Sequence, residues 1–432
     1  MSTYRLDPYS PAWEIDHHDV AFSPSGQMYA LYGVRRYESR FDDRGGRRPE
    51  NRPGDPADRN FRHLLITRYD TDGAPLATAL CCEQRPDGTP SSVREATTFR
   101  VAVQLDGTVV VSAHADCTYL IDPSLSTMLA AHTMPMRLAF KEVVPGDPFA
   151  GTVAVTPSGR LLCTVTEYGV HGYGGSGTNL LALSDTPLTA ATKPVLEAIA
   201  SVDPRPVNQT EAHDLRPHVR YQGRPVGLEH RPEPGLADLV ALTAEERRRY
   251  GNARLGRPVA MTDDLFVVPV LGRTFRSGSR GQPFAFALIN DRGEVTGRLE
   301  GMDYWKDSPF TGYLFTVVTD PARGRAFHLN RYGLYAWSSD GHLHARISTD
   351  DKPFTALKHF RLLGCSPQGE PVLAHRKQNL LLRVPPPATL TDLAQTVEEA
   401  LRAYGRERTS LKKAWSPVNW CWTHTPGDLH HL

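Results

Sequence analysis

Acidic and imidazole side chains recur along this chain, and these residue types bind divalent cations and transfer protons. Carboxylate oxygens suit calcium, and imidazole nitrogens suit zinc and similar transition metals. A cation held by such groups lowers the pKa of a bound water and so prepares that water for hydrolysis. Isolated charges at strand ends are more often solvated, so a site forms only where the fold gathers them. The candidates, each close to the start of an apolar run, are His18, Asp19, Glu95, Asp147, Glu211, His213, Asp307 and His359.

Local motifs for other chemistries are weak or absent. The chain contains no GxSxG, HExxH or CxxC pattern, so serine, zinc-protease and paired-thiol mechanisms gain no support. The glycine-rich segment 169–177 lacks the lysine of a P-loop and is followed by a strand pattern, which predicts a loop. His342 with His344 and the adjacent His430 and His431 are two-ligand pairs without a nearby third ligand, so surface positions are expected.

The elements that must position these residues are short strands. Four apolar runs separated by turn residues lie between Phe99 and His132, with a tight turn at 105–107. The pattern predicts strands over 100–104, 109–113 and 117–122, with a fourth near 128–133. A single four-stranded meander exposes two faces and two edges, so it is stable only where further copies pack against it.

Further copies are present along the chain. ProSerGly turns at 24–26 and 157–159 sit between paired apolar runs, and similar four-run units recur after 257 and 313. Six units are visible and a seventh is possible. The last unit, which starts at 360, shows only three strands, so Tyr4–Leu6 or Val418–Thr423 is expected to complete a blade. The sequence therefore predicts an all-β fold, a six- or seven-bladed β-propeller with a partly helical insertion and a C-terminal helix.

The predicted domain boundaries follow from the same pattern. Two segments interrupt the ring: a charge-balanced loop, and an irregular or helical insertion with helices from Thr192 and Leu236 and a hairpin around Gly223. The C-terminal part contains a helix near Leu390–Tyr404 and a tail that closes or caps the ring. The predicted ranges are 1–387 for the propeller, 38–62 for the loop, 190–256 for the insertion and 388–432 for the helix and tail.

Bulk composition favours a soluble globular chain. Its 432 residues are 40% hydrophobic and 22% charged, and the formal net charge is +1, which gives no general attraction to nucleic acid or to an anionic membrane. No N-terminal apolar signal region and no run of 18 apolar residues is present, and the six cysteines form no disulfide framework. The sequence predicts a cytoplasmic protein.

The phrases PheSerProSerGly at 22–26 and ValThrProSerGlyArgLeuLeu at 155–162 resemble the repeats of NHL-type and YVTN-type β-propellers. The resemblance implies the fold and no particular activity. In such a ring the candidate side chains converge on the mouth of the central channel, where ligands usually bind. Propeller lactonases hold a divalent cation there, but their pattern is not matched residue by residue, so no ligand is carried over.

Two functions are consistent with these observations. The first is a scaffold that binds another protein through loops on one face of the ring, with no cofactor and no catalytic signature. The second is a metal-dependent, lactonase-like hydrolase at the channel mouth, with a divalent cation such as calcium. A small-molecule ligand in the channel is compatible with both, and the sequence leaves enzymatic activity open.

Overall fold

The structure is a computed structural model of the 432-residue chain. It describes residues 3–5, 13–36, 63–84, 90–92, 100–114, 117–133, 137–138, 153–167, 179–191, 195–202, 219–221, 224–225, 253–273, 281–301, 317–375, 380–407, 420–422 and 427–428. The strands form six sheets, each built on an antiparallel meander, which we number as blades one to six in chain order.

The strands are as follows. The chain begins with β1 (Thr3–Arg5). Blade one contains β2 (Trp13–Phe22), β3 (Met28–Arg36), β4 (His63–Tyr69), β5 (Pro75–Gln84) and β6 (Pro90–Ser92). Blade two contains β7 (Arg100–Val103), β8 (Val109–His114), β9 (Cys117–Ile121) and β10 (Thr127–Thr133). Blade three contains β11 (Arg137–Leu138), β12 (Val153–Val155), β13 (Arg160–Glu167), β14 (Asn179–Pro187), β15 (Leu196–Val202), β16 (Val219–Tyr221) and β17 (Arg224–Pro225).

The second half of the ring repeats the arrangement. Blade four contains β18 (Ala253–Leu255), β19 (Val259–Ala260), β20 (Leu265–Arg273), β21 (Gly281–Asn290) and β22 (Val295–Arg298). Blade five contains β23 (Val317–Asp320), β24 (Arg325–Leu329), β25 (Gly333–Ser338) and β26 (Leu343–Ser348). Blade six contains β27 (Phe360–Cys365), β28 (Pro371–His375), β29 (Leu380–Arg383) and β1. Two 3₁₀ turns (Phe354–His359 and Leu390–Asp392), helix α1 (Leu393–Glu407), β30 (Trp420–Trp422) and β31 (Gly427–Asp428) complete the described elements.

The innermost strand of each blade, which we call its first strand, lines the centre of the ring, and these six strands touch one another all the way round. Strand β2 contacts β7, β7 contacts β12, β12 contacts β19, β19 contacts β23, β23 contacts β27, and β27 contacts β2. The circle therefore closes with six blades and has no room for a seventh. Blades one and four lie on opposite sides of the central axis.

One hydrophobic cluster fills each of the six spaces between neighbouring blades. Tyr119 and Ile66 meet between blades one and two, and Phe286 and Trp337 meet between blades four and five. All four side chains are buried. These clusters cover both faces of every sheet. An isolated meander would expose its apolar faces to water, so this packing is required for stability.

Hydrogen bonds join every neighbouring pair of blades at one face of the ring, which we call the turn face. This face carries the turns between the first and second strands of each blade. The opposite face, where the first strands begin, is the loop face. The joining bonds run from Arg68 Nη1 to Pro123 O (2.9 Å), Gln104 Nε2 to Leu188 O (2.7 Å), Ser158 N to Asp263 Oδ1 (2.6 Å), Thr319 Oγ1 to Ala260 O (2.7 Å), Arg323 Nη1 to Pro367 O (3.2 Å) and Arg383 Nη1 to Thr71 O (2.9 Å).

The ProSerGly turns predicted from the sequence lie on the turn face. In blade one the Ser23 hydroxyl accepts the Gln27 N–H at 3.0 Å, and Gly26 has φ +87°. In blade three the Thr156 hydroxyl accepts the Arg160 N–H at 3.1 Å, and Gly159 has φ +89°. The hydroxyl satisfies a turn amide, and glycine adopts the left-handed backbone without strain, so the repeated residues are explained by local geometry.

The ends of the chain cover sheet edges. Strand β1 pairs with β29 through Tyr4 and Leu381, so the N-terminal strand completes blade six as one of the two expected segments. Strand β30 pairs with β5 of blade one, and β31 pairs with β10 of blade two. Helix α1 packs into the cluster between blades five and six through one stripe, Leu393, Val397, Ala400, Leu401 and Tyr404.

The helix predicted from Thr192 is wrong. Leu196–Val202 is the strand β15, which pairs antiparallel with β14 and belongs to blade three. Leu196, Ala198 and Ala200 are buried and the residues between them are partly exposed, so the burial alternates with period two. Alanine favours helices in isolation, but cross-strand pairing and burial decide the structure here.

The described residues test the other boundary predictions only in part. The hairpin expected around Gly223 is present, with Tyr221 paired to Arg224. The C-terminal helix is present at Leu393–Glu407. The loop at 38–62 and the helix from Leu236 lie outside the described residues, and the division at 387 stays a prediction.

Substituting Gly364 with alanine will weaken the contact between blades six and one. A Cβ atom at this position would overlap Val20 Cγ2 and lie 3.1 Å from the Val20 carbonyl oxygen. Overpacking of this kind costs about 1–3 kcal/mol, so we expect a lower midpoint of thermal unfolding.

Gly405→Ala is the matched control for this experiment. Gly405 lies in helix α1, is exposed, and has no atom within 4 Å of an added Cβ. Alanine should leave the midpoint unchanged or raise it, by up to about 1 kcal/mol in the free energy of unfolding. Equal midpoints for the two variants would show that the blade contact at Val20 does not exist.

Candidate functional site

Three charged side chains occupy equivalent positions on, or just before, the first strands of three blades. Asp19 lies on β2, Arg100 begins β7, and Arg257 lies two residues before β19. Each stands four residues before the residue whose amide opens the turn of its blade, and those residues are Ser23, Gln104 and Met261. Equal distance from the turn face places the three side chains at one level of the central channel.

An ion pair crosses the channel at this level. Arg257 donates from Nη2 to Asp19 Oδ2 at 2.8 Å and from Nη1 to Asp19 Oδ1 at 3.2 Å. The backbone N–H of Val101 also donates to Asp19 Oδ2, at 3.1 Å. Because blades one and four are opposite, this contact joins two sides of the ring, and we call it the crossbar.

The three side chains are largely buried. Asp19 is 2% exposed and Arg100 is 6% exposed, while the Arg257 side chain is 14% exposed. The pKa of Arg100 is lowered to about 10, chiefly by burial and also by the charge of Arg257, while the charge of Asp19 acts in the opposite direction. Arg100 therefore stays protonated at neutral pH, and the three side chains together carry a charge of +1.

The structure describes three of the eight predicted metal ligands. Asp19 is engaged by Arg257, and His18 precedes it on β2 and is partly exposed. His359 lies at the end of a 3₁₀ turn, is exposed, and stacks on His375 with 6.0 Å between ring centroids.

The remaining candidates Glu95, Asp147, Glu211, His213 and Asp307 lie outside the described residues. Within the described part of the chain, no three histidine, cysteine, aspartate or glutamate side chains are placed to hold a metal ion. The metal site, with its calcium-like cation, therefore stays a prediction.

The His342 and His344 pair lies beside a turn of blade five. The two rings are exposed and make an edge-to-face contact with 5.0 Å between their centroids. His344 Nε2 lies 2.9 Å from the Ser338 hydroxyl, which donates in turn to Asp340 Oδ1 at 2.5 Å. In a hydrolase triad the histidine lies between the serine and the carboxylate. Here the serine hydroxyl donates directly to the carboxylate, so these three residues do not form such a triad. The 169–177 segment and His430–His431 lie outside the described residues.

The two cysteines whose surroundings the structure describes are not activated thiols. Burial raises the pKa of Cys163 to about 12. Burial also raises the pKa of Cys365 well above its usual range, and the negative charge of Asp320 adds to the effect. Both thiols stay protonated at neutral pH, and a protonated thiol is a poor nucleophile.

Sequence reasoning missed Arg100 and Arg257. Neither belongs to a recognised motif, and Arg257 is far from Asp19 along the chain. A signal was nevertheless present, because aligning the blades on their turns places Asp19, Arg100 and Arg257 in one column. Charged residues at equivalent positions of different blades lie at the same height in the central channel.

Comparisons with known proteins do not assign the chain to a family. No protein-family model matches the chain, and no curated protein matches it. Among solved structures it is similar to "YCF48 bound to D1 peptide", with 13% identity, a TM-score of 0.36, and coverage of 90% of this chain and 99% of that one. The described part of the chain has no helix that is long and apolar enough to cross a lipid bilayer.

A double-mutant cycle will measure the crossbar. Arg257→Gln leaves a buried carboxylate unpaired, and we expect a loss of about 3–5 kcal/mol in the free energy of unfolding. Adding Asp19→Asn should recover part of that loss, because the asparagine oxygen still accepts from Val101 and the unpaired carboxylate is removed, while Arg100 loses the nearby negative charge of Asp19. Denaturant unfolding of the four proteins gives a coupling energy, expected to exceed about 1 kcal/mol.

The exposed pair Lys358 and Asp350 provides the comparison. Its atoms lie 2.7 Å apart, but the side chains are 44% and 73% exposed. The cycle of Lys358→Gln and Asp350→Asn should give a coupling of about 0–1 kcal/mol. Equally small coupling in the two cycles would mean that the crossbar is not formed in solution.

Proposed function

We propose that this chain is a cytoplasmic β-propeller scaffold that binds another protein at the loop face of the ring. The observation that supports this proposal is the distribution of the connections between strands. In every blade the connection between the first and second strands is short and lies on the turn face, whereas the long connections after β3 and β10 leave from strand ends on the loop face. A rigid ring that holds variable segments on one face is suited to recognition.

The lengths of the connections make the contrast plain. On the turn face, the chain passes from first to second strand within residues 23–27 in blade one and 104–108 in blade two. On the loop face, the strand ends border two long connections, 37–62 between β3 and β4 and 134–152 around β11. Segments longer than about 12–15 residues are usually functional or flexible in compact domains, so the loop face is where a partner is expected.

The ring provides the rigidity that such a role needs. Apolar clusters and hydrogen bonds join all six blade pairs, so the strand ends that carry the loops are held in fixed positions. The resemblance to NHL-type and YVTN-type repeats is compatible with this proposal. The lactonase-like alternative has no observation in its favour among the described residues, where the one carboxylate at the channel level binds an arginine.

Removing one loop should abolish partner binding without unfolding the ring. Strands β3 and β4 pair through Val34 and His63, so replacing residues 37–60 by Asn-Gly leaves a two-residue hairpin turn in register. The intact protein and this variant are tagged and expressed in the native host, and their cross-linked partners are compared by quantitative mass spectrometry. We expect a specific partner to be lost at least tenfold from the loop variant while the unfolding midpoint is kept.

Leu105→Ser is the control on the opposite face. Leu105 is 67% exposed and lies in the turn between β7 and β8. This variant should retain the partner, and the purified partner should bind it with the affinity of the intact protein. Loss of the partner from Leu105→Ser but not from the loop variant would place binding on the turn face and contradict the proposal.

A further inference from the structure

The turn between the first and second strands of each blade presents one residue at its tip, directly after the residue that opens the turn. Because the first strands line the channel, these tips surround the mouth of the channel on the turn face. The tip is apolar in five blades, and Thr262 takes the position in blade four. The apolar tip residues, which we call the tip ring, are Pro24, Leu105, Pro157, Pro321 and Pro367.

The tip ring contains the most exposed large hydrophobic side chain in the described part of the chain. Leu105 is 67% exposed, against 42% for Leu76 and 40% for Leu129. Pro24 and Pro321 are exposed as well. Apolar residues that surround one opening form a patch, and exposed apolar patches mark sites of protein interaction.

Contacts between neighbouring turns hold the tip ring in place. A Cβ atom on Gly26 would lie 3.2 Å from Gln368 Nε2, and a Cβ atom on Gly159 would lie 3.7 Å from Gln104 Nε2. The turns of blades one and six, and those of blades two and three, are therefore in contact. Proline also fixes the backbone at the tips that carry it. A surface that is rigid before binding loses little conformational entropy on association.

Two opposite blades carry opposite charges beside their tips. In blade two the exposed Asp106 follows Leu105. In blade five Pro321 and Ala322 are exposed, and they are followed by Arg323, whose side chain is 38% exposed. Blades two and five lie on opposite sides of the ring. The turn face therefore has an apolar tip with a carboxylate on one side and an apolar tip with a guanidinium on the other.

Arg323 is able to bind a second carboxylate. Its Nη1 donates to Asp320 Oδ2 and to Pro367 O, both at 3.2 Å. A guanidinium has five N–H donors in a planar fork, and Nη1 carries only two of them. The exposed part of this side chain therefore offers further donors to an acidic group that approaches the turn face.

A second copy of this chain is complementary to such a face. Two copies can meet turn face to turn face about a twofold axis that passes between blades one and six and between blades three and four. Blade two of each copy then faces blade five of the other, so Leu105 packs on Pro321 and Ala322, and Asp106 approaches Arg323. Both contacts occur twice, as in an isologous dimer. An axis through blades two and five would instead place like charges together.

We propose that the turn face is the interface of a homodimer, with Leu105 as its apolar anchor and Asp106 paired to Arg323 of the second copy. In this dimer the two loop faces point away from each other. The inference therefore goes beyond the proposed function and holds whether or not a partner binds at the loop face.

Sedimentation equilibrium of the purified full-length chain tests the proposal. Between about 1 and 100 μM protein, the average mass should rise from that of one chain towards twice that mass, as expected for a dissociation constant within this range. A single-chain mass at every concentration would overturn the proposal, and so would assembly beyond the dimer.

Two leucine substitutions in blade two separate the tip ring from the rest of the surface. Leu105→Ser removes the apolar anchor and should raise the dissociation constant about tenfold or more. Leu129→Ser removes a leucine that is 40% exposed on the outer strand β10, and it should dimerise as the intact protein does. Both leucines are exposed, so both variants should keep the unfolding midpoint. Equal dissociation constants for the two variants would contradict the proposal.

Substitutions of Asp106 test the charged contact. Asp106 Oδ1 accepts the Thr108 N–H at 2.8 Å, and Asp106→Asn keeps this bond while it removes the charge. We expect the asparagine to weaken the dimer about threefold. Asp106→Lys should weaken it about tenfold, because lysine repels Arg323 of the second copy. Equal affinity of all three proteins would contradict the contact with Arg323.

Cross-linking between copies tests the position of the twofold axis. Leu105→Cys and Ala322→Cys are prepared as separate proteins, mixed, allowed to exchange subunits and treated with a short bismaleimide. The mixture should give a covalent dimer linked between positions 105 and 322, and neither variant alone should give a link at its new cysteine. Links between two copies of position 105 in Leu105→Cys alone would place the axis through blade two and overturn the proposal.

Discussion

The structure depends on one constraint, which is that the sheet of each blade has two apolar faces and cannot cover either of them alone. The chain meets this constraint by placing one hydrophobic cluster between each pair of neighbouring blades, and the sixth cluster joins blade six back to blade one. No face is left over, so the ring has a fixed number of blades. Helix α1 packs into the cluster between blades five and six, and β1 covers the edge of blade six by pairing with β29.

Closure of the ring turns local repetition into a long-range site. Turns of similar geometry set the height of each first strand, so residues at equal distance from the turns meet in the channel although they are far apart in sequence. Asp19 and Arg257 pair in this way across opposite blades. A buried ion pair is weak support for stability, because desolvation offsets much of its attraction.

The sequence predicts the parts of the fold that local chemistry determines. Ser23 and Gly26 identify a turn because the hydroxyl and the left-handed glycine are needed within a few residues of each other. Leu196–Val202 was misassigned because its alanines favour a helix locally, and only pairing with β14 makes it a strand. The Arg257–Asp19 contact depends on ring closure, so no single stretch of sequence reveals it. Alignment of the blades on their turns does place both residues in one column.

Cross-linking across the closure of the ring tests the central claim most directly. Thr71 of blade one and Gln368 of blade six are exposed, and both lie within 4 Å of the position of a Cβ atom on Gly26. Cysteines at these two positions, treated with a short bismaleimide and mapped by mass spectrometry, should form an intramolecular link in nearly every molecule. Links only between molecules, or none, would contradict a ring in which blade six meets blade one.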